Sequence, residues 1–201
     1  MKLSRRLSPF RLRRKWINKK KAIYLKWLKK QFAYFGEGSY IYHILNLGGA
    51  EYISIGNNVH FGEYCVLEAI TTDKKPEITI GDNCIIGDFS HLGAINFIHI
   101  GNNVITGRSI LINDHSHGTP EDRFSDIPPI NRKLYSKGGI TIGDNVWIGD
   151  KVSILCGVTI GKGAIIGVNS VVTKDIPAFS IAAGSPARII RNGDSDCNIK
   201  L

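Results

Sequence analysis

Along the second half of the chain an aliphatic residue returns every six positions. Ile142, Ile148, Ile154, Ile160 and Ile166 form one unbroken series, and Val172 continues it. Neither the 3.6-residue helix period nor strand alternation produces a period of six. A coil of three short strands and three turns does: each unit supplies one flat face and one corner, and the residue of fixed phase points inward. Five Ile-Gly pairs mark that phase, at Ile55-Gly56, Ile80-Gly81, Ile100-Gly101, Ile142-Gly143 and Ile160-Gly161. The step from Ile142 to Ile160 is 18 residues, one coil of three units, and that from Ile80 to Ile100 is 20. The steps of 25 and 42 residues before Ile80 and Ile142 carry a polar insert at Asp73-Lys74-Lys75-Pro76-Glu77 and a long excursion. Coils stacked at the strand spacing of about 4.8 Å bury one continuous aliphatic column. The glycine after each isoleucine is expected at a corner whose backbone takes positive φ.

Composition agrees. Ile occurs 31 times against 13 Leu and 9 Val, with 22 Gly and one Met, which favours β structure with tight turns over a helical bundle. No apolar run approaches the ~20 residues of a spanning helix, and the basic N-terminus has no apolar signal-peptide core. Cys65, Cys84, Cys156 and Cys197 form no CxxC pair, so reduced thiols are expected and zinc is not.

Charge is uneven. Residues 1–30 hold 13 of the 26 Lys and Arg and no acid; the other 171 carry 13 basic and 17 acidic groups, a net of −4. The formal charge of +9 therefore describes a cationic arm on a near-neutral body. Within residues 10–35, Tyr24, Trp27, Leu28, Phe32 and Phe35 recur at helical spacing, preceded by Trp16, Ile17 and Ile23. Such a helix either caps the open end of the solenoid or lies on an anionic membrane surface. Nucleic-acid contact is a third option that is not expected. The domain expectation is a basic arm and lead-in over 1–50, a solenoid over 51–186 with an expelled loop 118–139, and a tail over 187–201.

Of six histidines, His43, His60 and His99 read as hydrogen-bonded turn residues. His115 and His117 fall in Asn113-Asp114-His115-Ser116-His117-Gly118, where the excursion leaves the scaffold. Loops that leave a rigid scaffold carry function, and a neutral imidazole is the natural base near pH 7. Asp114 is placed to orient a ring. His-x-His also suits a metal, but only His91 offers a third ligand, so no metal is expected.

That stretch resembles the active-site strand of the hexapeptide-repeat O-acetyltransferases, a family that includes galactoside and maltose acetyltransferases and polysaccharide or lipopolysaccharide O-acetyltransferases. Ile142-Gly143-Asp144-Asn145-Val146-Trp147-Ile148-Gly149 resembles the family's tryptophan-bearing coil. Val171-Val172-Thr173-Lys174-Asp175-Ile176-Pro177 and Ala183-Gly184-Ser185-Pro186-Ala187-Arg188-Ile189-Ile190-Arg191 resemble its C-terminal signature. The resemblance implies an all-β, left-handed parallel β-helix, with a basic, helical N-terminal arm in this chain. It implies a homotrimer with sites at subunit interfaces, and acetyl-CoA as acyl donor. His117 falls on the position of the family's general base, with His115 beside the acceptor. The backbone N–H of Asp150 falls on the oxyanion donor, although family members often carry a small residue there. Trp147, Asp150, Val168, Thr173, Lys174, Arg188 and Arg191 match coenzyme A positions, and Asp114, His91 and Asn113 the acceptor pocket.

Gly87 and Ile95 replace the acceptor-binding Asn and Asp of the simple-sugar enzymes, which points to another acceptor. The resemblance thus implies an O-acetyltransferase acting on a sugar hydroxyl in a glycan or lipid-linked saccharide; the missing signal-peptide core points to the cytoplasm, and the cationic arm to the inner face of the membrane. The alternatives are N-acylation of an amino sugar, acylation of serine, a metal-dependent hydratase, or a non-enzymatic solenoid with a membrane- or nucleic-acid-binding arm.

Overall fold

The computed structural model describes residues 23–41 and 43–193. Most of the basic arm, the Trp16-Ile17 part of the expected helix and the end of the tail lie outside the described residues. The chain winds as a three-faced parallel β-helix. The first face stacks Tyr34–Phe35, Ile53–Ile55, Glu77–Ile80, Phe97–Ile100, Ile140–Ile142 and Thr159–Ile160. The second stacks His60–Phe61, Ile85–Ile86, Ile105–Thr106, Trp147–Ile148, Ile165–Ile166 and Ile181–Gly184, closed by the antiparallel Ala187–Arg191. The third stacks Ile44–Gly48, Cys65–Ala69, His91–Ala94, Leu111–Asn113, Ser153–Ile154 and Val171–Val172.

Each face contributes one inward column. Ile55, Ile80, Ile100, Ile142 and Ile160 pair in register on the first face. Leu67, Leu92, Ile112, Ile154 and Val172 do so on the third. All ten are at most 3% exposed, and each fully buried aliphatic side chain contributes about 1.5–3 kcal/mol. Cys65 and Cys84 lie in the same core, where burial pushes the Cys65 thiol up to about 11.

The corners correct one expectation. Positive φ falls not on the glycine after each isoleucine but two residues later, at Asn58, Asn83, Asn103 and Asn145, with φ between 55° and 58°. Asn tolerates this left-handed conformation better than most side chains. The glycine serves another purpose, close approach. A Cβ on Gly81 would lie 2.7 Å from the carbonyl carbon of Gly101, and one on Gly101 would lie 2.8 Å from the Asp144 nitrogen. The polar residue between them ties coil to coil. Asn57 N donates to Asp82 Oδ1 (2.7 Å), Asp82 N to Asn102 Oδ1 (2.8 Å) and Asn102 N to Asp144 Oδ1 (2.7 Å).

The solenoid begins at Tyr34 rather than at residue 51. Its first coil has no Ile-Gly pair and uses Phe35-Gly36 and the buried Ile41 instead. Before it, residues 23–28 are helical. Leu28 and Phe32 are 1% and 7% exposed and join the core, so this segment closes the end of the stack as a cap. Trp27 stays exposed. At the other end the first residues of the expected tail, 187–191, form a strand antiparallel to Ile181–Gly184. His60 and His99 lie on strands rather than in turns. No described helix is long and apolar enough to cross a membrane.

Both expelled segments leave where the third face turns into the first. One follows Ala69 and the other follows Asn113. The longer folds back through the antiparallel pair Ser116–His117 and Leu134–Tyr135. The two meet at Lys133 Nζ and Asp73 Oδ2, 2.6 Å apart, and this contact holds the exposed Asp73 carboxyl below its usual range.

Gly101→Ala is expected to cost about 3 kcal/mol by forcing coils apart, and Asn103→Val about 2 kcal/mol through its left-handed backbone. Thermal unfolding checks both. An unchanged melting temperature for Gly101→Ala would show that the coils part freely.

Candidate active site

The Asp-His-Ser-His stretch begins where the third-face strand Leu111–Asn113 ends. Asp114 is fully buried. Its Oδ1 accepts from the N–H of Ile95 and its Oδ2 from the N–H of Asn96, both at 2.8 Å. These two donors belong to the turn of the coil below. The burial of a charged group is tolerable only with such partners. Oδ1 also meets His115 Nδ1 at 3.2 Å. Because that oxygen already accepts an N–H, the shared proton sits on Nδ1, and His115 Nε2 is left with its lone pair. The His115 side chain is only 10% exposed. Ile95, one of the two departures from the simple-sugar enzymes, contributes its main chain here.

His117 is placed differently. It lies on the short antiparallel strand of the excursion and is exposed. No side-chain hydrogen bond orients its ring among the described residues. The two histidines expected to share the site therefore differ in kind: one is held by a buried carboxylate, and the other is free to turn.

Around His115 the structure gathers Asn113 and His91. Asn113 Nδ2 donates to the His115 carbonyl (3.0 Å), and Asn113 Oδ1 is buried without a donor. His91 Nε2 lies 3.1 Å from Glu68 Oε2, and Asn46 Nδ2 donates to Glu68 Oε1 at 2.6 Å. The sequence reading missed Glu68, Asn46 and Gly93. The coil steps contained the signal: 25 and then 20 residues carry position 68 to 93 and to 113, one outward column of the third face.

The expected coenzyme A residues fall elsewhere. Trp147 is 57% exposed on the second face, in register with Ile105 and Ile165. Asp150 stands at the next corner, between the second and third faces. Its carboxylate is part of the scaffold, accepting from the N–H of Arg108 at 2.7 Å, as Asp88 accepts from the N–H of Glu63 at 2.8 Å two coil steps earlier. Val168 occupies the place of the next acceptor against Gly149 and is 61% exposed. Valine accepts no hydrogen bond, so the Asp150 N–H is not drawn into the ladder. A cleft of about 420 Å³ runs beside it, lined by Tyr40, His60, Ile85, Arg108 and Asp150.

Thr173 and Lys174 are exposed just past Val171–Val172, at the same corner as His115 and two coils further on. Arg188 and Arg191 lie on the terminal strand. One chain thus does not bring its Trp147–Asp150 corner to its own His115, since the third face lies between them. Among the described residues no group of three or more His, Cys, Asp or Glu gathers as a metal site.

Residues 139–174 match the family model for the bacterial transferase hexapeptide, six repeats. The putative lipopolysaccharide biosynthesis O-acetyl transferase WbbJ of Escherichia coli K12 is 36% identical over 143 residues, which cover 69% of this chain and 71% of WbbJ. The galactoside O-acetyltransferase of the same strain is 32% identical over 169 residues, covering 82% of this chain and 66% of that enzyme. Among solved structures, the hexapeptide-repeat acetyltransferase VCA0836 of Vibrio cholerae O1 biovar eltor, complexed with acetyl coenzyme A, is 26% identical. It superposes with a TM-score of 0.54 over 86% of this chain and 77% of its own. Repeat, register and these likenesses agree: the chain belongs to the hexapeptide-repeat acetyltransferases, acyltransferases built on a left-handed parallel β-helix.

Proposed function

We propose that this chain transfers an acetyl group from acetyl-CoA to a hydroxyl of a sugar within a glycan or lipid-linked saccharide, and that His115 is the general base. The observation that carries this reading is the buried Asp114, which holds the His115 ring through Nδ1 and so leaves Nε2 as its acceptor. It favours His115 over His117, the residue expected from the sequence.

The chemistry follows from that arrangement. The acceptor O–H donates to His115 Nε2, and its oxygen attacks the thioester carbonyl directly. Proton removal of this kind contributes about 10²–10⁴ in rate. Asp114 stabilises the imidazolium that forms without taking its proton. Negative charge develops on the carbonyl oxygen, and the Asp150 N–H is the donor for it. As the C–S bond breaks, the leaving thiolate takes the proton from His115 and the base is restored.

His115 and Asp150 lie at different corners of one chain, so a complete site draws them from neighbouring copies. The second face supports such an assembly: Ile85, Ile105 and Trp147 are 44%, 48% and 57% exposed in one stripe. An apolar strip of this kind needs a partner to cover it, and a closed ring of three copies supplies one. The donor's acyl arm then lies along this stripe, with Trp147, Val168, Thr173 and Lys174 beside it, and Arg188 and Arg191 suit its phosphates. The cationic arm directs the enzyme to an anionic membrane surface, where lipid-linked saccharides are found.

Free-thiol release from acetyl-CoA, measured with a sugar panel that includes amino sugars, tests the base. His115→Ala is expected to lose about 10²–10⁴ in kcat, and His117→Ala less than tenfold. The reverse order would return the role to His117, and release only with amino sugars would make the enzyme an N-acyltransferase. Val168→Asn supplies the missing ladder acceptor beside the Asp150 N–H. It is expected to keep or raise the melting temperature while lowering kcat about tenfold or more; unchanged kcat would remove Asp150 from the mechanism. Deleting residues 1–30 should weaken sedimentation with anionic liposomes, and equal sedimentation of both forms would exclude the membrane role.

A further inference from the structure

Gly93 lies inside a strand, where glycine weakens packing and marks a place that something else approaches closely. The reason is visible around its missing side chain. A Cβ there would lie 2.8 Å from Asn113 Oδ1, 3.4 Å from His115 Cε1 and 3.5 Å from His91 Nε2. Three polar side chains thus surround one bare backbone position. By the triangle inequality the two ring atoms are at most about 7 Å apart, a gap spanned by two adjacent hydroxyls making hydrogen bonds of about 2.8 Å each.

The His91 ring is held as the His115 ring is, by a carboxylate. Glu68 Oε1 already accepts from Asn46, so the carboxylate meets His91 as an acceptor and the proton sits on Nε2. Among the described residues there are two other His–Glu contacts, His43–Glu63 at 3.5 Å and His99–Glu77 at 3.4 Å. Both are longer, neither carboxylate has a second side-chain partner among the described residues, and neither borders His115. The Glu68–His91 pair differs in geometry and in place.

The groups around Gly93 are mostly acceptors: the Glu68 carboxylate, the donorless Asn113 Oδ1 and His115 Nε2. Such a surface calls for a ligand rich in O–H donors and repels an anion.

We propose that Glu68 and His91 determine acceptor specificity by holding a second hydroxyl next to the one that His115 deprotonates, so that the substrate is a sugar with a vicinal diol at the acylated position. This rests on the reading given under Proposed function. Glu68 and His91 bind the neighbouring hydroxyl and set which hydroxyl faces His115, while the base and the acyl donor are untouched.

The test uses the full chain with acetyl-CoA and the methyl glycosides of galactose, glucose, mannose and rhamnose. For each glycoside acetylated, the analogues lacking one hydroxyl beside the acetylated carbon are compared. Wild type is expected to lose tenfold or more in acceptor kcat/KM on one of these deoxy analogues. Glu68→Gln and His91→Gln are expected to lose a similar factor on the parent glycoside, chiefly through acceptor KM. Their KM for acetyl-CoA should stay within twofold of wild type, and they should no longer discriminate against the deoxy analogue. Melting temperature in the presence of coenzyme A checks folding, and if Glu68→Gln melts early, His91→Gln carries the comparison. An active wild type that is indifferent to both deoxy analogues, or variants that lose kcat and keep the full discrimination, would overturn this inference alone. A wild type that acetylates none of the glycosides would overturn it together with the reading on which it rests.

Discussion

Every feature of this protein depends on coils lying directly on one another at strand spacing. The contact that permits it is backbone against backbone at one corner, where Gly56, Gly81 and Gly101 leave no room for a Cβ beneath the next coil. Hydrogen bonds between coils run parallel on all three faces, and the inward columns follow because each coil repeats the phase of the last. The Asn–Asp ladder adds a side-chain bond at three successive steps on the same corner. Stability is therefore nearly a sum over neighbouring coils. A change at one step is felt by the two coils it joins.

The same stacking builds the site. Asp114 is buried because the coil below presents two N–H groups, from Ile95 and Asn96, at the place where its carboxylate arrives. Without that register the carboxylate would lack donors, and burial would be too costly. His115 inherits its orientation from Asp114, so the direction of its lone pair is fixed by coil register rather than by the excursion loop. This separates two tasks that the Asp-His-Ser-His stretch joins in sequence. The first histidine belongs to the scaffold, and the second belongs to the loop that leaves it.

Much of the fold was legible because a six-residue period leaves few architectures. The aliphatic series named the inward columns, and the irregular steps between Ile-Gly pairs located both expelled segments. Three things were less legible, each for a physical reason. The first coil at Tyr34 escaped because Phe35-Gly36 replaces the marker pair, although the coil pairs in register all the same. Glycine is the usual residue for positive φ, yet four of these corners use asparagine there and place glycine where the coils approach closely. The histidine order could not be read from spacing alone, since it depends on what lies one coil below in space and 18 or more residues away in sequence. Asp150 shows the same limit. Its carboxylate does scaffold work that only the Arg108 N–H reveals.

The site's residues also fall on two kinds of ground, and the difference matters for how specificity evolves on such a scaffold. Glu68, His91 and Asn113 stand at outward positions of strands, where a substitution leaves the inward column and the glycine corner intact. Asp114 and Asp150 are tied into bonds between coils, so their side chains cannot change without disturbing the stack. Gly93 belongs to both groups: it is outward, but the three side chains over it forbid any larger residue. In the proposed roles, the acid that orients the base is thus locked by folding, while the groups proposed to meet the acceptor are free to vary around Gly93. A repeat scaffold separates chemistry from selectivity in this way because its core columns and its outward columns alternate along every strand.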